Sequence, residues 1–299
     1  MKTIDEVNLM DDVFMNLVAS DPEVGEDFCR TFLSVLLQRK IGRVKVTSQC
    51  VLPGTGLGLR GVRLDVEVKE LQDDQEALGE FANVYDIEPH TTDDADFPRM
   101  LRFRQAKIDS RLMQAGDNDF EHLPDLYVIL ISDLDAFGEG YMLYTIRNQC
   151  VEVPDAEYDD GLHFLYFNTT GKKGGSEAIR NMLEYMQNSR ESAAVDTATK
   201  EVDRCVQNVR LDPAVRGKYM TFGDRIDREK RESYSEGQTG LLIQLICKKL
   251  ARGKTLAEIA SEVEMEESEI SGIYETASTC GPDYDPEEVK KKLHLEKNS

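Results

Sequence analysis

An α/β protein with a mainly helical C-terminal extension is predicted by three observations. Three strand-like segments in a row sit between two helical regions, a fully apolar strand follows the second of them, and from Ala193 onward the spacing of apolar residues is helical. The expected division is a first domain over residues 1–190, a helical region over 191–280, and a polar tail over 281–299. The tail holds Pro282, Pro286 and mixed charges and is expected to be disordered.

Taken in order, residues 7–38 place Phe14, Leu17, Val18, Val24, Phe28, Phe32, Leu33 and Leu36 at mostly helical spacing. Ser20, Asp21 and Pro22 break the run and start a second helix. Next come "RVKVTSQCVL", "VRLDVEVKEL" and "FANVYDIEPH", separated by a glycine-rich turn and a polar loop, which together read as a meander. In the second of these, Val62, Leu64, Val66 and Val68 alternate with Arg63, Asp65, Glu67 and Lys69, so the four charged residues share one face. Gly56, Gly58 and Gly61 have the GxGxxG spacing of a dinucleotide-binding loop, but that fingerprint requires a helix opening on the glycines, and here a strand follows. They are turn residues. A helix from about Pro98 to Ala115, closed by Gly116, leads to "LYVILIS", a strand apolar enough to be buried on both faces. "YMLYTIRN" and "LHFLYFN" add two strands, and "GGSEAIRNMLEYMQNS" adds a helix.

The formal charge of -21 repels nucleic acid at long range, so any contact with a phosphate backbone has to be local. The segment "RMLRFRQAKIDSR" offers one such place, with Arg102, Arg104 and Lys107 as the densest cations; Arg104, Lys107 and Arg111 fall on one face of the predicted helix. That face is either a DNA-approach surface or a solvated helix face. The N-terminus lacks the basic start and apolar run of a signal peptide, and the longest apolar stretch is too short to span a bilayer, so a cytoplasmic protein without membrane contact is expected. Six scattered cysteines with no CxxC pair argue against a zinc site and a disulfide framework alike.

Alternation in the third strand puts Val84, Asp86, Glu88 and His90 on one face. If that strand pairs with the one holding Asp65, carboxylates from adjacent strands can converge on a hard cation such as Mg²⁺, with the Pro89 carbonyl as a further ligand. His90 would be the local base, because an unperturbed histidine titrates near ~6.5. Equally, these are ordinary polar residues on a half-exposed sheet.

The segments "GVRLDVEV", "YDIEPH", "RFRQAKIDS", "LPDLYVILISDLDAFG", "DGLHFLYFNTTGK" and "KYMTFGDRIDREKRE" resemble, in order and spacing, the Rpn family of recombination-promoting nucleases and putative transposases, within the PD-(D/E)XK nuclease superfamily. The resemblance implies an αβββαβ nuclease-like core and metal-dependent DNA endonuclease activity linked to recombination or mobile elements. It implies Asp65 and Glu88 as ligands of Mg²⁺ or Mn²⁺, Gln105 as the family's helical glutamine, and Asp12 as the accessory acidic position on the first helix. This chain departs from the pattern at Pro89 and His90, where the superfamily has lysine and close relatives often have glutamine. Lysine would bring a permanent cation to the attacked phosphate and neutral histidine would not. Two functions therefore stand side by side: an endonuclease in which Asp65, Glu88, His90 and Gln105 do the chemistry, and a catalytically impaired member that binds nucleic acid or protein.

The segment "LARGKTLAEIASEVEMEESEISGIYE" has the cadence of a helix-turn-helix. Glu262, Glu264, Glu266, Glu267 and Glu269 would confront phosphates in a DNA groove, so these helices are expected to pack or to self-associate into a homo-oligomer.

Overall fold

The computed structural model describes residues 3–52, 62–71, 81–91, 96–113, 120 and 123–297. Its packing divides the chain into two units, Met1–Phe222 and Gly223–Ser299.

In the first unit, α1 (Asp12–Ala19) and α2 (Gly25–Leu36) precede the meander β1 (Val44–Leu52), β2 (Val62–Leu71) and β3 (Phe81–His90). Asp11 caps α1 by accepting the Phe14 N–H. The turn between the two helices is so tight that a Cβ on Gly25 would stand 2.4 Å from the Ala19 carbonyl oxygen. Helix α3 (Phe97–Leu112), β4 (Asp125–Ser132), β5 (Leu143–Ile146), β6 (Leu162–Asn168) and α4 (Glu177–Asn188) follow. Strand β2 begins at Val62, so no helix opens on Gly61; the glycine-rich turn itself lies outside the described residues.

The six-stranded sheet runs β1-β2-β3-β4-β6-β5. The first three strands are antiparallel, β3, β4 and β6 are parallel, and β5 returns antiparallel to β6. One face presents Val66, Val68, Ile87, Ile129 and Ile131, all fully buried, on the side contacted by α1 and α2. The other presents Val84, Leu126, Val128, Leu130 and Tyr166, which pack against Leu101 and Ile108 of α3. Burial on both faces explains why β4 carries no polar alternation.

Helix α5 (Thr197–Leu211) packs on α1, α2 and α4, so the material following residue 190 continues the first unit's core through Val202, Val206 and Val209. Helix α6 (Pro213–Leu250) spans the division between the units. In the second unit α7 (Leu256–Val263) and α8 (Glu267–Ser278) close on the end of α6 through Ile243, Ile246, Ile259 and Ile270. The stretch expected as a disordered tail contains α9 (Pro286–Lys297), whose Val289 is fully buried in that cluster. Charge dominates its composition, and a single apolar stripe anchors it. No described helix is long and apolar enough to cross a membrane.

Candidate active-site cleft

Ligands in sheets with parallel strands bind outside the strands' carboxyl ends. At that end of β3 a cleft of about 750 Å³ is walled by Asp11 and Asp12 at the start of α1, by Glu88, Pro89, His90 and Thr91, by Asp133 after β4, and by Gln187 at the end of α4. Asp12 and His90, 78 positions apart in sequence, thus line one cavity. The strands bring further polar groups into line, because His90 pairs with Ser132 and Ser132 with Asn168 across the three parallel strands. Ser132 and Asn168 are buried.

Electrostatics differ among these groups. Burial raises the Asp11 carboxyl above the ordinary range, and the adjacent Asp12 charge pushes the same way. The N–H groups of Phe14 and Val13 and the Tyr219 hydroxyl oppose the rise without cancelling it. Asp12 is exposed and accepts the Val13 N–H at 2.8 Å.

The expected ligand pair spans β2 and β3. Val66 lies opposite Ile87 and Glu67 opposite Asp86, and the described pairing of β2 with β3 begins there, one residue after Asp65. Directly opposed residues of antiparallel strands share a face. The Asp65 side chain itself lies outside the described residues. Among the described residues no group of three or more His, Cys, Asp or Glu side chains stands ready to hold a metal ion.

Glu88 is held by Arg104. This guanidinium grips Asp86 with two prongs, Nε to Oδ2 at 2.9 Å and Nη2 to Oδ1 at 3.1 Å, and its Nη2 also donates to Glu88 Oε2. The side chains of Asp86, Arg104 and Glu88 are 0%, 7% and 14% exposed, so the Asp86–Arg104 pair is buried while Glu88 also reaches the cleft. One turn pair further along α3, Arg111 donates to Glu67, which is also within 3.7 Å of the Lys69 ammonium.

Arg104 is therefore turned toward the sheet and buried, whereas Arg111 on the same face reaches Glu67 from an exposed position, so a DNA-facing or solvated role does not fit Arg104. The charged face of β2 and β3 needs partners once α3 covers it, and arginines on the covering face supply them. Arg102 is exposed, and the Lys107 ammonium sits 5.6 Å from the centre of the Phe103 ring. Gln105 does not line the cleft; its Nε2 donates to Asp109 Oδ2 at 2.9 Å. The sequence reading placed Asp86 on the correct strand face and missed its role. The signal available was a second acidic residue, Asp86, in alternation with Glu88 and His90.

No family model, curated protein or solved structure matches the chain.

Proposed function

We propose that the chain is a metal-dependent DNA endonuclease of the PD-(D/E)XK type, akin to the Rpn recombination-promoting nucleases. The observation that carries the reading is the convergence of Asp12, Glu88 and His90 on one cleft, at the end of the strand that pairs with β2, the strand of Asp65. Support also comes from the element order, two helices, three strands, helix, strand, which follows the αβββαβ plan.

The donor set suits a hard cation, since Asp65, Glu88, Asp12 and the Pro89 carbonyl offer oxygen. Held by Asp65 and Glu88, Mg²⁺ or Mn²⁺ would acidify water and offset charge on the phosphate. In this reading His90 accepts the proton of the attacking water at the cleft wall, and Asp12 orders the water's approach from α1. Gln105 is the member of the expected set that has to exchange a partner, because its amide is engaged by Asp109. Cytoplasmic location, self-association through the C-terminal helices and a link to mobile elements belong to the same proposal and rest on the sequence.

Supercoiled plasmid should be nicked in the presence of Mg²⁺ or Mn²⁺ and left intact in chelator. Asp65→Ala and Glu88→Gln should each lower the rate by at least about a hundredfold. Intact plasmid with the parent protein under both metals would remove the enzyme reading. A second reading, a non-catalytic module that binds nucleic acid or protein, is favoured by one observation: Glu88 already has a cation, Arg104.

A further inference from the structure

The cleft presents a carboxylate whose charge is already answered from inside the protein. Glu88 has one side on the cavity and its Oε2 on the Arg104 guanidinium, which is anchored behind it by the two-pronged hold on the fully buried Asp86. Such a fork is rigid, always charged and weakly hydrated, so unlike lysine it can remain in a dry pocket as a fixed cation. Two positive charges cannot share one carboxylate oxygen at contact distance without repelling, and the low polarity around Asp86 sharpens that repulsion.

We infer that Arg104 is the positioning residue of this cleft: it fixes Glu88 through Asp86, and a divalent cation that takes Glu88 through Oε2 displaces the Arg104 guanidinium from that oxygen. The inference rests on the nuclease reading for the identity of the cation, and adds that metal loading is coupled to a side-chain exchange on α3. Asp86 holds the released guanidinium in place, so the exchange is local and reversible. Among the described residues that line the cleft none is a lysine or arginine; the cation sits one layer deeper and guards the ligand. Metal affinity in the parent is consequently weaker than its oxygen donors alone would give.

The test measures Mn²⁺ binding to the full chain by electron paramagnetic resonance, independently of cleavage. Removing Arg104 alone strands a buried Asp86, so the informative variant is the double substitution Asp86→Asn with Arg104→Gln, which removes both charges and keeps hydrogen-bonding groups of similar size. Its Mn²⁺ affinity should rise on the order of tenfold over the parent, the range of a single coupling between two ligands, and Glu88→Gln in that background should abolish the gain. A folded double variant with the parent's affinity, or a gain that survives Glu88→Gln, overturns the inference, as does the absence of Mn²⁺ binding in every form. Should the double variant fail to fold, the parent with ¹⁵N-labelled arginine answers instead. The Arg104 Nε–H resonance should shift as Mg²⁺ saturates the protein, and saturation with that resonance unmoved is the contrary result. Tighter Mn²⁺ binding without any plasmid nicking would uphold this exchange while ending the nuclease reading, and nicking by a parent whose Arg104 is indifferent to metal would do the reverse.

Discussion

At the scale of single residues, Glu70 shows how a buried charge becomes a structural tie. Its carboxylate accepts the Gly42 N–H at 2.7 Å, the Asn83 amide at 2.9 Å, Arg39 at 3.1 Å and the Tyr85 hydroxyl at 2.5 Å. Burial alone would raise this carboxyl, but the Gly42 N–H, Tyr85 hydroxyl and Arg39 together hold it below its ordinary value. A depressed carboxylate contributes stability that is complete above its unfolded pKa near ~4.3 and fades as pH falls through the lower folded value. Urea midpoints measured from pH 7 to pH 3 should therefore decline on the acid side in the parent. Glu70→Gln should lower the neutral plateau by roughly 2–3 kcal/mol and flatten that decline. An unchanged plateau would show that Arg39 and Tyr85 find equal partners without it. None of this was legible in the sequence, where Glu70 is one of 57 acidic residues. Alternation assigned Glu88 and His90 to one strand face together with Asp86, and it was the family resemblance that singled out Asp65 and Glu88 as expected ligands.

At the scale of elements, the strands of the meander were readable because charged and apolar residues alternate along them, and β1, β2 and β3 fall on the expected segments. The orientation of α3 was not readable. Spacing identified Arg104, Lys107 and Arg111 as one face, but which face is buried depends on what covers it, and a charged strand face met by a charged helix face breaks the rule that apolar faces point inward. Among the described residues, Arg102 and Lys107 have no acidic partner of the Arg104 kind. Replacing both by glutamate should weaken binding of a short DNA duplex and reduce its salt dependence by about two counterions, with the fold intact. A salt slope equal to the parent's would assign DNA contact to another element. The apolar side of the same helix carries its docking energy: Ile108→Ala, at a fully buried position against Val128 and Leu130, should cost about 2–4 kcal/mol in chemical denaturation. A loss below about 1 kcal/mol would mean that the ion pairs, not the apolar layer, fix α3.

For the whole molecule, the two units have separate cores, Gly223 marking the division. Apolar spacing places a boundary near residue 190, just after the helix that follows the last strand; α5 carries the first unit past it because its buried valines serve the first core. Separate cores imply separate stabilities. Ile270→Ala should accelerate amide hydrogen exchange across α7 and α8 while leaving β3 and β4 protected as in the parent. Uniform loss of protection through both units would show that they unfold as one. The helical character of the C-terminal third was plain from spacing. The placement of α9 was not, since one buried valine among many charges leaves little pattern to read.

The mixed sheet also fixes an order of events in time. Pairings within the β1-β2-β3 meander join neighbours in sequence, while β3 meets β4 only after α3 has been spanned, and β4 meets β6 with β5 lying between them in the chain. Closing short loops is fast and entropically cheap, whereas parallel pairing waits for longer ones. The strands bearing Asp65 and Glu88 are thus expected to find each other early, and the cleft at the end of β3 to acquire its Asp133 wall late. A nascent chain would carry Asp86 and Glu88 for some time before α3 delivers Arg104, the guanidinium that answers them.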